Sequence, residues 1–370
     1  MVPVQSRIFP LISLLSKRMM SAGPDVLFQT TNNAEIITLN RPKALNTLNT
    51  SMLNKLLPQL RKMENSRSLV IIKGGGTKAF CAGADIKVVF DTVECHNFLS
   101  KLYNTCYLIG NFKIPCVSFL NGIAMGGGLC ISVPGRYRVA TENSVIAMPE
   151  TKIGYFPDNG GSYFLPRLQF NLGFYMGLTG AILKGKDVVK AGIATHFVSS
   201  KRLYELEELL TRCTNELEIQ DLLSKFNEPP EEYSFAPNIK YISNCFAAST
   251  VEEIIERLEK VQNESSMKTL ETLHQMSPRA LKITLCALQR GAQLDFPECL
   301  KMEYRVACRN VISHDTLEGV RALVIDKDKK PQWKPKTLAE VDDDIVESYF
   351  QKLPQERELK FFDEFDDAKL

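Results

Sequence analysis

The chain reads as an α/β protein with a helical C-terminal region, and three observations predict it. Short β-branched runs alternate with helical patterns up to about residue 200. Amphipathic helical spacing takes over beyond that point. The 370 residues are 44% hydrophobic and 24% charged, an ordinary globular composition with enough apolar material for a large core.

Taken in order, residues 1–24 carry Arg7, Lys17, Arg18, several serines and no acid, with apolar residues that allow an amphipathic turn or two. That is the composition of a mitochondrial transit peptide. A secretory signal fits less well, because Ser13 interrupts the apolar run and no A-x-A-like site follows. No later stretch has the unbroken apolar length to cross a bilayer. EIITL (35–39) and SLVIIK (68–73) read as strands, and between them apolar residues from Met52 to Met63 recur at helical spacing. Pro58 falls inside that pattern, so a kink is expected. KAFCAGADIK (78–87) has neither period and reads as a loop. Residues 96–110 read as a helix and CVSFL (116–120) as a buried strand. A glycine-rich turn follows, then a short helix to about Val133. Residues 136–140 and 144–148 read as further strands. Beyond residue 200, helices are expected over 202–226, 251–262, 266–275, 278–290 and 295–312, and an acidic solvated helix and tail end the chain. The domain expectation is a transit peptide over 1–24, a catalytic core over 25–225, and a helical region with its acidic tail over 226–370.

Several function classes are disfavoured. A formal net charge of +2 carries no broad electrostatic footprint for nucleic acid. Ten cysteines are scattered singly without a C-x-x-C, and the four histidines lie far apart, so no metal site is expected and the thiols read as buried and reduced. Gly74, Gly76 and Ala79 match a dinucleotide fingerprint, but no helical stripe follows them. Ser162 sits in a broken nucleophile elbow, with Phe164 where the last glycine belongs.

What remains is two glycine-bearing loops, 82–85 and 126–128, each after an apolar strand, and two carboxylates, Glu150 and Asp158, each after a proline. Glycines let a backbone approach a ligand closely, and the first N–H groups of a helix lack internal partners. Two such loops can each aim one N–H at the same oxygen, which is an oxyanion hole. A carboxylate opposite them serves as base or nucleophile.

KAFCAGADIK, NGIAMGGG (121–128) and MPETKIGYFPDNGGSYFLPRL (148–168) together resemble the crotonase (enoyl-CoA hydratase/isomerase) superfamily. With LKGKDVVKAGIATHFV (183–198) and EGVRALVIDKDKKPQWKP (318–335), the chain is similar to its 3-hydroxyisobutyryl-CoA hydrolase branch, over roughly residues 27–340. The resemblance implies a crotonase-like spiral of β-β-α repeats that binds acyl-CoA thioesters, here in valine breakdown in the mitochondrial matrix. It implies an oxyanion hole from the N–H groups of Ala84 and Gly127, and catalytic roles for Glu150 and Asp158. Ala82, Asp85, Ile86 and Gly126 would contact the substrate or its CoA. No separate cofactor is implied, because CoA is part of the substrate; a homo-oligomer is allowed. Two positions depart from the pattern. Cys130 stands where hydratases place a second glutamate, which disfavours hydration, and Leu102 stands where the hydrolases usually carry another glutamate. An isomerase using the same Glu150, or a non-catalytic acyl-CoA binder, stays open at this level.

Overall fold

The computed structural model describes residues 23–64, 69–89, 95–229 and 231–362. Residues 1–22 of the expected transit peptide (1–24) and the acidic end of the tail over residues 363–370 lie outside the described residues.

Among the described residues, ten strands form two sheets. β1 (Val26–Thr31), β2 (Ala34–Leu39), β3 (Leu69–Gly74), β5 (Cys116–Leu120), β7 (Tyr137–Ala140) and β10 (His196–Phe197) make a six-stranded sheet in that order; β4 (Ala79–Cys81), β6 (Ile123–Met125), β8 (Val145–Ala147) and β9 (Leu183–Lys184) make a four-stranded one. The hairpin β1–β2 is antiparallel, and β2, β3, β5, β7 and β10 run parallel. Each of β3, β5 and β7 is followed at once by a strand of the other sheet, so the chain winds as a spiral of strand, strand and helix. The step from β5 to β6 turns on Gly122, at φ +98°, where a side chain would press on the backbone of Lys78 and Ala79.

β5 is buried along its whole length because both faces of the large sheet are covered. Ile37, Leu39, Val70 and Ile72 face the main core, whereas Ile36, Leu69, Ile71, Val117 and Val139 pack under Leu206, Leu210, Ile219 and Leu223. Those last residues belong to two helices, Leu203–Leu210 and Glu216–Phe226, where a single helical stretch was expected. The break comes at Asn215, whose side chain accepts from the N–H of Glu218 and so starts the second helix.

Pro58 does not interrupt the Thr50–Glu64 helix. It is exposed, and so is Asn54, the residue whose carbonyl it leaves without an N–H partner. The stretch 78–87 is less loop-like than its pattern implies: β4 precedes the turn, and the helix Ile86–Val89 follows it. The glycine-rich turn starts a helix of one turn only, Gly127–Cys130.

The remaining helices pack against this core. The Phe296–Asn310 helix lies on the Cys95–Gly110 helix, with Tyr304 meeting Tyr103 edge to face at 5.5 Å. The Asp343–Phe350 helix, expected to be solvated, buries Val346 and Phe350. Among the described residues no helix is long and apolar enough to cross a membrane.

Candidate active site

Leu48 forms a single parallel bridge with Ala84. Its N–H donates to the carbonyl of Gly83 at 2.8 Å, and its carbonyl accepts from the N–H of Asp85 at 2.7 Å. In such a bridge the N–H of the middle residue, Ala84, is turned to the opposite side. Gly127 is the first residue of its helical turn, so its N–H has no partner within the helix. The two amides are neighbours. A Cβ built on Gly127 would stand 3.3 Å from the nitrogen of Ala84, and one built on Gly83 would stand 3.7 Å from the nitrogen of Gly127.

Both loops open onto one cavity of about 360 Å³, which Glu150 and Asp158 also line. Glu150 begins a short 3₁₀ turn directly after Pro149, and a Cβ on Gly126 would collide with its Oε1. Its Oε2 is buried and has no hydrogen-bond partner among the described residues. Burial first, then the nearby charge of Asp158, push the Glu150 carboxyl well above the usual carboxylate range. Asp158 is better supported. Its Oδ2 accepts from the hydroxyls of Tyr103 and Tyr155, each at 3.1 Å, and its Oδ1 accepts from Nδ2 of Asn159 at 2.5 Å. Burial outweighs these bonds and lifts Asp158 to about 7.

The arrangement pairs main-chain donors with a desolvated carboxylate, which suits attack on a carbonyl whose oxygen gains charge. The model of the enoyl-CoA hydratase/isomerase family matches residues 34–350. The chain belongs to that family. It is 45% identical to the zebrafish (Danio rerio) protein named 3-hydroxyisobutyryl-CoA hydrolase, mitochondrial, over 92% of each chain. It is 42% identical to the human (Homo sapiens) protein of the same name, again over 92% of each. Among solved structures, a carnitinyl-CoA dehydratase from Mycobacterium thermoresistibile superposes with a TM-score of 0.86 at 33% identity, covering 92% of this chain and 99% of that one. An enoyl-CoA hydratase from Rhodobacter sphaeroides gives 0.83 at 34% identity, over 91% and 100%.

For this member of the enoyl-CoA hydratase/isomerase family, the residues expected from sequence mostly converge. Ala82, Ala84, Ile86, Gly126, Gly127, Glu150 and Asp158 all line the same cavity. Asp85 is not among its lining residues; the Asp85 carboxylate takes the Arg41 guanidinium at 2.8 Å, beside the loop. Leu102 lines the cavity with Phe98 and Leu99 as an apolar wall. Cys130 lies buried behind it, its thiol donating to the Leu102 carbonyl at 3.6 Å, so the two departures from the family pattern are in contact.

Three supporting side chains escaped the sequence reading. Tyr103 and Tyr155 hold Asp158, and only Tyr155 lies within a recognisable motif. Glu303 accepts from the N–H groups of Gly160 and Ser162, each at 2.7 Å, from 143 and 141 residues away. No spacing in the chain marks that contact. Ser162 itself donates its hydroxyl to Glu303 at 2.6 Å, which leaves it a structural residue and no nucleophile. The C-terminal region also reaches the chain's own cavity directly, through Thr316 and Leu323.

Proposed function

We propose that this chain is a mitochondrial hydrolase of short-chain acyl-CoA thioesters, acting on 3-hydroxyisobutyryl-CoA and releasing 3-hydroxyisobutyrate and free CoA. The names of its relatives support the substrate and the compartment. The observation that carries the chemistry is the adjacency of the Ala84 and Gly127 amides in a cavity that Glu150 shares.

The thioester carbonyl oxygen sits between the two N–H groups, and the main chain of residues 82–86 runs along the CoA. As the carbonyl carbon becomes tetrahedral its oxygen takes on charge, and each such donor is worth about 3 kcal/mol to that state. Glu150 acts in one of two balanced ways. Its carboxylate oxygen bonds to the carbonyl carbon, the carbon–sulfur bond breaks, and water then hydrolyses the resulting anhydride. In the other route Glu150 takes a proton from water while the water oxygen attacks. A raised carboxyl is the stronger base once it has lost its proton, and both routes begin from that ionised form. Asp158 orients the substrate hydroxyl or a water. A thiolate leaves readily, so no strong general acid is demanded. CoA enters with the substrate, and no further cofactor is invoked.

The test is thiol release from a panel of short acyl-CoAs, with the unmodified chain beside Glu150→Gln. The reading expects 3-hydroxyisobutyryl-CoA to be the best substrate and the variant to lose at least about 100-fold in kcat. Double-bond migration in an enoyl-CoA without thiol release would point to an isomerase. No turnover by either protein would point to a binder.

A further inference from the structure

Glu303 is more deeply buried than either carboxylate of the cavity: it is 0% exposed, against 8% for Glu150 and 5% for Asp158. It does not line the cavity. It lies on the Phe296–Asn310 helix and reaches into the turn that follows Asp158. Oε2 accepts from the Gly160 N–H, and Oε1 accepts from both the N–H and the hydroxyl of Ser162. All three donors aim at its carboxyl oxygens, so in these contacts the side chain serves only as an acceptor.

The clamped segment is a left-handed turn. Asn159 at φ +57° and Gly160 at φ +89° are consecutive left-handed residues, and the Gly161 N–H closes the turn onto the Asp158 carbonyl at 3.1 Å. Such a turn holds one shape only when its surroundings over-determine it. Burying a carboxylate is a costly way to accept two amides, and here it stands close to another buried acid. The cost is understandable if the turn must deliver Asp158 to one place. We propose that Glu303 is a positioning residue for the reaction: by clamping the Gly160 and Ser162 amides, it sets the Asp158 carboxylate between Tyr103 and Tyr155. This rests on the hydrolase reading and on the role given there to Asp158.

The experiment is a double-mutant cycle on the full chain, read by thiol release from 3-hydroxyisobutyryl-CoA. Glu303→Gln keeps the shape but offers one oxygen and one NH₂ to three donors, so one main-chain amide loses its acceptor. The expected result is a fall in kcat of about 10- to 100-fold with KM little changed, as for a misplaced reacting group. The same substitution in an Asp158→Asn background is expected to add little, because its effect passes through Asp158. Far-UV circular dichroism and melting report whether the variant folds. If it does not, Ser162→Ala, which removes one of the three donors, decides the matter by the same cycle with a smaller effect. Unchanged kcat, or losses that multiply independently with Asp158→Asn, overturn the clamp while leaving the hydrolase reading intact. Absence of thiol release from every acyl-CoA by the unmodified chain overturns the hydrolase reading, and the clamp falls with it.

Discussion

A single methyl group at Gly126 would occupy the space of Glu150 Oε1. The residue also sits at φ +49°, where a side chain is strained whatever its room. Gly126→Ala should therefore cost about 1–3 kcal/mol of stability and displace the carboxylate. A chemical melt and a kcat measurement check this; a variant as active as the parent would show that Glu150 needs no fixed seat. The two acids differ in how they are held. Asp158 has three donors, whereas Oε2 of Glu150 has no partner among the described residues. An unpaired buried oxygen is expensive in the resting protein and available to substrate or water.

Among the elements, the Thr50–Glu64 helix carries Pro58 on a face where Asn54, four residues earlier, is exposed as well. Restoring the N–H with Pro58→Ala should stabilise the chain by about 1–3 kcal/mol, with thiol release unaffected. Denaturant unfolding measures it, and a loss of stability would mean the ring packs usefully where it stands. The short strands β4 and β6 matter more for function. Their parallel pairing sets the 82–85 loop beside the Gly126–Gly127 turn. At Gly128 a side chain would collide with the Cys81 carbonyl, so the helical turn and β4 approach backbone to backbone. That approach makes neighbours of two amides that are distant in sequence.

Across the whole molecule, three carboxyls lie buried close together. Burial raises Asp158 to about 7 and Glu303 to about 8. Both therefore bind a proton more tightly folded than unfolded. The stability they contribute is full below the unfolded carboxyl value of about 4, and it is lost as pH rises through the folded values. Asp158→Asn removes one such group. Its melting temperature should exceed the parent's by about 2–4 °C at pH 8, with the gap closing towards pH 5. Thermal scans at the two pH values test the sign, and a gap that widens in acid would refute it. Stability surrendered at a working site is the familiar exchange for function.

Read without coordinates, the chain already determined much of this. Alternating β-branched runs specified the parallel core, because strands covered on both faces must be apolar throughout. The local motifs marked the 82–85 and 126–128 loops together with Glu150 and Asp158, because glycine loops and proline-flanked acids shape the backbone within a few residues of themselves, and the family resemblance narrowed the donors to Ala84 and Gly127. At Pro58 the pattern marked a misfit, yet the helix runs through it, since periodicity does not report how a helix is seated. The Tyr103 hydroxyl, the pairing of Asp85 with Arg41 and the hold of Glu303 on the turn were decided only by the tertiary structure. Each joins segments far apart in sequence, and whether a buried polar group finds its partner depends on how helices and sheets pack, which no spacing along one chain encodes.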